Sequence, residues 1–234
     1  MNASMSGRKV AVLNYSGNVG KSTLARHLLQ PRMGGCPITF IESINEGGDS
    51  TSVKGRDFAP VMIEVLAAEE AIVDIGSSNI ETVFDKAERM GDVLDAFDFF
   101  LIPTVSRTKQ QADTVKVIKD LLSLGVSDSK LRVVFNNVDR DDDLDKQFGV
   151  VKGALDKLRI PYAVVFESDG FQYLKERSVE ECIAEDRDFR AEIKEATDPE
   201  ERRAKASALV VSQLAKGIRS NLDSVFQKLF IAAQ

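Results

Sequence analysis

An eight-residue run near the start of the chain has the composition of a phosphate-binding loop. Between an apolar stretch and a segment with helical spacing, it reads Ser16-Gly17-Asn18-Val19-Gly20-Lys21-Ser22-Thr23. Glycines let successive backbone N–H groups point at one anion, and a helix that begins there adds positive potential. A lysine in this position neutralises phosphate charge, and the hydroxyl of the next serine can bind Mg²⁺. Residues 17–23 are therefore predicted to bind nucleotide phosphates, with Lys21 also catalytic and Ser22 also a metal ligand.

The run satisfies only part of the full phosphate-loop pattern, G-x-x-x-x-G-K-[ST]. Tyr15 stands where that pattern has its first glycine, so only G-x-x-G-K-S is matched. The alternative interpretation is a glycine-rich turn between a strand and a helix, with an exposed lysine. The flanking apolar and helical segments favour phosphate binding.

A carboxylate lies near the end of another apolar run. Asp74 follows Ala71-Ile72-Val73 and precedes Gly76, after which come Ser77-Ser78-Asn79. A carboxylate that leaves a buried strand beside a phosphate loop can hold Mg²⁺ directly or through water, and the glycine lets the backbone approach a terminal phosphate. Asp74 is therefore predicted to be a catalytic residue and a metal ligand. In the alternative interpretation, Asp74 caps a turn and Asn79 is the N-cap of the next helix.

Polar residues also follow the apolar run at 131–135, in the order Asn136-Asn137-Val138-Asp139. An asparagine amide offers both a donor and an acceptor, so it can bind the edge of a purine. The spacing of Asn136 and Asp139 imitates the N-K-x-D base-binding motif of GTPases, with Asn137 in the lysine position. Asn136, Asn137 and Asp139 are the predicted base-binding residues, for adenine or guanine. The alternative is an ordinary turn, where asparagine and aspartate are common.

Six short apolar runs are typical of strands, and segments with helical spacing separate them. The runs span residues 10–13, 38–41, 71–75, 99–102, 131–135 and 162–166. Such alternation predicts an α/β fold, with a mostly parallel sheet flanked by helices on both faces. In this architecture ligands bind beyond the carboxyl ends of the strands.

The length of 234 residues suits one large domain, and the sequence contains no linker that would divide it. We predict a single P-loop NTPase domain over residues 1–234, with a core at about 9–170 and a helical region at about 171–234. Apolar spacing from Asp198 to Phe230 predicts one or two long helices. Such a helix packs on the sheet, binds a partner or a second copy, or presents a basic face to DNA or anionic lipid.

Composition narrows the classes of function. The formal net charge of −6 argues against nucleic-acid binding through an overall positive field, so DNA contact would need a local basic patch. Two cysteines and a single histidine, His27, argue against a zinc-type site. The polar N-terminus is followed by an apolar stretch of only strand length, which predicts a cytoplasmic protein without a transmembrane segment.

These motifs resemble the ParA/MinD group of P-loop ATPases, whose deviant loop reads K-G-G-x-G-K-[ST]. Within the group, the run from Ser16 to Thr23, the string Ile41-Glu42-Ser43-Ile44-Asn45 and the string from Asp74 to Asn79 are most similar to StbB and TraL-type proteins of conjugative plasmids. The resemblance covers about residues 9–169. Its last landmark is Ile160-Pro161-Tyr162, which resembles the late strand before a base-contacting loop, here near Glu167-Ser168-Asp169-Gly170.

The resemblance implies ATP and Mg²⁺ as cofactors and a nucleotide-dependent switch in plasmid stability, partition or conjugative transfer. It implies a plasmid-encoded DNA-binding protein as the partner and a nucleotide-dependent homodimer, and it leaves direct DNA contact open. In the switch, the terminal phosphate and Mg²⁺ would order the loops at 42–49 and 74–79.

Two departures from the family pattern concern hydrolysis. Ser16 replaces the lysine that reaches the partner's phosphates in a typical ATP-bound dimer. Ile44 stands at the position of the aspartate that helps to position the attacking water, and Glu46 and Asp49 are the candidate substitutes. We therefore predict slow or partner-stimulated ATP hydrolysis. Arg107 is a candidate for an internal cation, or else a solvated residue at the start of a helix. The rival functions are a nucleotide-bound scaffold that does not hydrolyse ATP, and a small-molecule kinase or synthetase.

Overall fold

The computed structural model describes residues 5, 7–41, 52–53, 58–174, 177–183 and 187–232. Its strands form one seven-stranded sheet in which every described pair is parallel. This confirms the α/β fold with a parallel sheet. The strands are β1 (Lys9–Leu13), β2 (Ile38–Ile41), β3 (Ser52–Val53), β4 (Ala71–Ile75), β5 (Phe99–Thr104), β6 (Leu131–Val138) and β7 (Tyr162–Phe166).

The order of strands across the sheet is β3-β2-β4-β1-β5-β6-β7. β1 lies between β4 and β5, with Val12 paired to Asp74 on one side and to Leu101 on the other. Because the strands are parallel, their carboxyl ends share one edge of the sheet. The segments that follow β1, β4, β5 and β6 therefore meet at that edge.

Nine α-helices occur in the described part of the chain. Short 3₁₀ turns at Ser77–Asn79, Asp92–Ala96 and Asp128–Lys130 precede α3, β5 and β6 respectively. α1 continues as a π-helical turn at Ala25–Leu29, and the last helix ends in another at Gln227–Ile231. The helices are α1 (Lys21–Leu24), α2 (Phe58–Ala67), α3 (Ile80–Arg89), α4 (Thr108–Ser123), α5 (Leu144–Leu158), α6 (Gly170–Leu174), α7 (Val179–Ile183), α8 (Phe189–Glu195) and α9 (Pro199–Phe226).

Helices cover both faces of the sheet, as predicted. Side chains alternate along a strand, so Ala11 and Leu13 of β1 join one hydrophobic core while Val10 and Val12 join the other. Residues of α2, α3, α4 and α5 form the first core with the sheet. Residues of α1, α6, α7 and α9 form the second.

The long C-terminal helix packs on the sheet, which is the first of the three alternatives for this segment. α9 begins with Pro199, and the Asp198 carboxylate accepts a hydrogen bond from Glu201 N at 2.8 Å. Further along, the Asn221 side chain accepts from Phe166 N at 2.9 Å and donates to the carbonyl of Val164 at 3.1 Å. α9 thereby satisfies backbone groups of β7 at the edge of the sheet.

Two buried arginines bind the C-terminal helical region to the rest of the fold. Arg32 donates to Asp223 Oδ1 at 2.6 Å, and Arg132 on β6 donates to the carbonyl of Leu229 at 2.5 Å. Burial lowers the pKa of the Arg132 guanidinium to about 10, so it stays charged at neutral pH. Its charge therefore stabilises the carbonyl end of the terminal helix.

β6 extends beyond its apolar run. It continues to Val138, so Asn136 and Asn137 are part of the strand and do not follow it. The pairing of β6 with β7 shifts register between Phe135 and Val138, and Asn137 has a positive φ of 56°. Polar residues at a β-bulge have the composition of a turn, so the sequence pattern predicts that the strand ends at residue 135, three residues too early.

His27 lies in the π-helical turn and is only 7% exposed. Its ring packs against Phe171 at a centroid distance of 5.9 Å, and its Nδ1 atom is buried without a hydrogen-bond partner in the described part of the chain. Burial, with a smaller contribution from Arg26, lowers the pKa of His27 from 6.5 to about 4. The folded protein therefore holds this histidine in its neutral form.

Acid is expected to destabilise the fold through His27. The unfolded chain binds a proton below about pH 6.5, whereas the folded chain does so only near pH 4, so stability falls as the pH drops between these values. At pH 5 the loss should be about 2 kcal/mol. Since the chain has a single histidine, His27→Gln should remove this part of the pH dependence. Urea unfolding of both proteins at pH 7.5 and pH 5 tests the prediction. It would be contradicted if the wild type and His27→Gln lost the same free energy of unfolding between these two pH values.

Among the described residues, no helix combines the length and the apolar character needed to cross a bilayer.

Candidate nucleotide-binding site

A cavity of about 900 Å³ opens at the carboxyl ends of β1, β4, β5 and β6. It lies where the topology brings four strand ends together, as the strand-end rule predicts. Most of the residues predicted to bind phosphate line it. The lining consists of Gly17, Asn18, Gly20, Lys21, Ser22, Thr23, Gly76, Ser77, Val105, Ser106, Arg107, Gln110, Asn136 and Asn137.

The segment from Ser16 to Gly20 forms a tight loop between β1 and α1. Asn18 has φ of 57° and Gly20 has φ of 92°, so the backbone turns through two left-handed positions. Lys21 is 9% exposed, and its Nζ donates to the carbonyl of Ser16 at 2.8 Å. The loop therefore folds around its own ammonium group, which is the arrangement of a phosphate cradle. Val19, predicted to bind phosphate, is fully buried beneath the loop.

Asn136 supports the loop from the neighbouring strand end. Its Nδ2 donates to the carbonyl of Val19 at 3.0 Å. A Cβ atom on Gly20 would lie 2.1 Å from this Nδ2, so a side chain at residue 20 would have to displace the Asn136 amide from its hydrogen bond to Val19. In this structure Asn136 thus positions the phosphate loop.

Gly20→Ala is expected to weaken ATP binding more than about tenfold, because the new methyl group must displace Asn136 and the backbone is left-handed. Gly35→Ala is the matched control: its φ is 81°, and nothing lies within 4 Å of the added Cβ. That variant should lose about 1 kcal/mol of stability and keep its ATP affinity. Fluorescent-nucleotide titration compares the two, and equal affinities would contradict the steric role. Asn136→Ala in the Gly20→Ala background should recover part of the loss.

Ser16, which stands where the ParA/MinD pattern has a lysine, is turned into the protein. It is 5% exposed, and its Oγ donates to Asp113 Oδ2 of α4 at 2.5 Å. Its backbone N donates to Asn14 Oδ1 at 2.8 Å. Asn14 in turn donates to Thr114 Oγ1 at 2.8 Å. The first residue of the loop is therefore bound to α4.

Tyr15 explains the missing glycine of the full pattern. Its side chain leaves the loop and enters the space between α3 and α4, where its ring meets Phe84 edge-on at 6.1 Å. The hydroxyl donates to Asp120 Oδ2 at 2.6 Å, and Lys116 Nζ lies 3.8 Å from the ring centroid. Burial and the Asp120 carboxylate raise the pKa of Tyr15 above its usual value. The side chain at this position thus packs against two helices, which a glycine could not do.

Ser22 and Asp74 form a pair whose oxygen atoms suit Mg²⁺. Ser22 Oγ donates to Asp74 Oδ2 at 2.5 Å. Asp74 is 2% exposed near the end of β4, whereas Ser22 is exposed at the start of α1. Within the described ranges, no cluster of three or more His, Cys, Asp or Glu side chains could hold a metal. Mg²⁺ takes one or two protein ligands and completes its shell with phosphate oxygens and water, so one hydroxyl and one carboxylate suffice.

The predicted base-binding residues separate into two groups. Asn136 and Asn137 line the cavity. Asp139 does not line it, because its Oδ1 accepts from Asp141 N at 3.0 Å and so caps its own turn. Of the loop that the resemblance links to the base, Glu167 and Ser168 border a different cavity, of about 220 Å³, beside α9.

Sequence reasoning missed most of the cavity wall that follows β5. Val105, Ser106 and Gln110 line the cavity, and so does Arg107, which the sequence offered only as a candidate cation. The signal that could have identified these residues was their position directly after β5, the strand that pairs with β1. Ile44, which aligns with the catalytic aspartate of the ParA/MinD pattern, and its candidate substitutes Glu46 and Asp49 lie outside the described residues.

No family model matches the chain, and no curated protein matches its sequence. Among solved structures, apo McdA from Cyanothece has a TM-score of 0.53 at 10% identity, covering 95% of this chain and 98% of McdA. A variant of Cyanothece McdA in complex with ATP has a TM-score of 0.50 at 12% identity, covering 90% and 96% respectively.

The septum site-determining protein MinD from Pyrococcus horikoshii, complexed with Mg-ADP, has a TM-score of 0.52 at 12% identity, and the match covers 98% of each chain. These proteins are ParA/MinD-type ATPases. At such low identity the likeness concerns the fold: this chain has the fold of the ParA/MinD-type P-loop ATPases. The resemblance predicted from the sequence motifs is confirmed at that level.

Proposed function

We propose that this protein binds ATP with Mg²⁺ and acts as a nucleotide-dependent switch in plasmid stability, partition or conjugative transfer. One observation carries the proposal. The Lys21 ammonium lies within a tight loop that has two residues in the left-handed backbone conformation and lines a cavity of about 900 Å³. The Ser22–Asp74 pair lies next to this loop. Such a loop binds the phosphates of a nucleotide.

Ser22 and Asp74 are the residues that would hold Mg²⁺, and Lys21 would neutralise the phosphates. The bound ion supplies positive charge that offsets the charge developing on the phosphates. Gly17, Asn18 and Gly20 present backbone to the cavity, and Asn137 is the exposed candidate for contact with the base. ATP is preferred to GTP because the family resemblance implies ATP and because Asp139, the residue that favours guanine, does not line the cavity.

The switch would act through the segment that follows β4. Ser77 lines the cavity and belongs to the turn Ser77–Asn79, which leads directly into α3. α3 in turn contacts α4 through an ion pair between Glu81 and Lys116 at 3.7 Å. A terminal phosphate that orders Ser77 would therefore bias the position of α3 against α4.

Slow hydrolysis follows from the position of Ser16. Its hydroxyl is bonded to Asp113 and bears no charge, so this loop residue cannot supply a cation to a second copy's nucleotide. Loss of such a cation typically lowers the rate of phosphoryl transfer by about 10³-fold or more. The same observation favours a second candidate, a scaffold that retains nucleotide without turnover.

The partners are proposed from the family resemblance alone. They are a second copy of the chain in the ATP state and a plasmid-encoded DNA-binding protein, both in the cytoplasm. Several basic residues of the last helix are already engaged, since Lys205 pairs with Glu201 at 2.6 Å and Arg219 with Asp223 at 3.8 Å. These ion pairs weaken the case for DNA contact through the basic face of this helix.

Sedimentation velocity of the 25.7 kDa chain with Mg-ATP, with Mg-ADP and without nucleotide tests the switch, with phosphate release followed in the same samples. The switch predicts a larger species with ATP than with ADP, and Lys21→Ala should abolish the difference. One species under all conditions, with nucleotide retained and no phosphate released, would favour the scaffold. One species without any bound nucleotide would contradict both functions.

A further inference from the structure

Two of the described residues that line the cavity carry a positive charge, Lys21 and Arg107. Lys21 is buried in the loop, while Arg107 is exposed at the start of α4. A bound nucleoside triphosphate brings about four negative charges, of which Lys21 and Mg²⁺ together offset about three. About one negative charge of the triphosphate therefore remains for a second cation at the cavity to neutralise.

The backbone around Arg107 is held in place. Arg107 is the N-cap of α4, and it follows β5, which pairs with β1 directly beside the phosphate loop. Its carbonyl accepts from Gln111 N at 3.1 Å, and the carbonyl of Ser106 accepts from Gln111 Nε2 at 2.8 Å. Gln111 is itself 3% exposed. The Arg107 side chain thus extends from a fixed point on the cavity wall.

The Arg107 guanidinium is available for a ligand. In the part of the chain that the structure describes, no carboxylate forms an ion pair with it and no acceptor receives a hydrogen bond from it. α4 has no acidic residue in its first turn and no side-chain cap on its amides. Its N-terminus therefore adds positive potential on the same side of the cavity.

Ser16 cannot perform this role. Its hydroxyl donates to Asp113 at 2.5 Å, and Ser16 does not belong to the cavity lining. The chain's own α4 instead supplies a cation, Arg107, at the cavity wall. A guanidinium also offers several N–H donors in one plane, which suits the oxygens of a phosphate.

We propose that Arg107 binds the terminal phosphate of the nucleoside triphosphate held by the same chain, and that it makes the site prefer ATP to ADP. The proposal rests on the proposed function, because it requires nucleotide in the cavity. Arg107 contacts the phosphate that ATP has and ADP lacks, so its removal affects ATP selectively. In the structure the Arg107 side chain is exposed.

Equilibrium titration of Mg-ATP and Mg-ADP into four proteins tests the proposal: the wild type, Arg107→Ala, Lys109→Ala and Lys21→Ala. Lys109 is the matched control, because it is an exposed cation of the same helix outside the cavity lining. Arg107→Ala should weaken ATP binding by about tenfold to 100-fold and change ADP binding less than about twofold. Lys109→Ala should change neither. Arg107→Lys keeps the charge without the planar donors and should recover part of the ATP affinity.

The outcomes distinguish a failure of the Arg107 proposal from a failure of the proposed function. An unchanged ratio of ATP to ADP affinity in Arg107→Ala, with binding still lost in Lys21→Ala, overturns the role of Arg107 and leaves nucleotide binding intact. Equal weakening of ATP and ADP also overturns it, because Arg107 would then act on another part of the nucleotide. Absence of binding in the wild type overturns both the proposed function and this inference.

Discussion

Lys21→Ala is expected to weaken ATP binding by at least about 100-fold, which corresponds to about 3 kcal/mol. The Lys21 ammonium is 9% exposed and lies at the base of the loop, 2.8 Å from the carbonyl of Ser16. Its attraction for phosphate is therefore less screened than that of a surface lysine. Isothermal titration with Mg-ATP measures the effect.

Lys119→Ala provides the control for Lys21, because it removes one exposed lysine of α4 outside the cavity lining. It should bind ATP as the wild type does. Lys21→Ala also removes hydrogen bonds to the loop, so urea unfolding of both variants is needed alongside the titration. A Lys21→Ala protein that is folded and binds ATP within about threefold of the wild type would contradict the phosphate-binding role.

Asp74→Asn is expected to remove most of the effect of Mg²⁺ on ATP binding and to lower any phosphate release by about 100-fold. Asparagine has nearly the same shape and can still accept a hydrogen bond from Ser22, so the change isolates the charge of the carboxylate. Asp74 is 2% exposed near the end of β4, so surrounding solvent cannot replace that charge. ATP titrations with Mg²⁺ and with EDTA give the ratio of affinities that measures the effect.

Asp98→Asn removes a carboxylate at the other end of the sheet, where Asp98 binds Arg8 and the backbone of Lys9. This control should retain the full Mg²⁺ dependence even if it lowers stability. The role of Asp74 would be contradicted if its variant kept the same Mg²⁺ dependence as Asp98→Asn.

The parts of the site that lie close together in sequence could be predicted. The loop from Gly17 to Thr23 follows one apolar strand and begins one helix, so its role depends on local spacing. The strand that carries Asp74 was also recognisable, because five of its consecutive residues have a pattern typical of a buried strand. Because β4 pairs with β1 in parallel, Asp74 lies beside the loop that follows β1.

The parts that depend on distant residues could not be predicted. Ser16 is turned inward by Asp113, 97 positions away, and the loop is supported by Asn136, 117 positions from Val19. The place of Arg107 on the cavity wall depends on the order of strands, which puts β5 next to β1. These contacts arise from tertiary packing, on which the local sequence carries no signal.

His27 illustrates the same limit for stability. From the sequence, this single histidine only argues against a zinc-type site, whereas its burial against Phe171 is visible only in the structure. Arg132 likewise lies in an apolar strand, where its partner at Leu229 could be identified only from the structure. Both residues act on the fold, outside the nucleotide cavity.

The central claim is that this protein holds a nucleotide by its phosphates, and titration of the wild type with ATP, ADP and AMP in Mg²⁺ tests it most directly. The account predicts that affinity falls with each phosphate removed, with AMP weaker than ATP by at least about 100-fold. It would be contradicted if AMP bound as tightly as ATP, or if none of the three nucleotides bound.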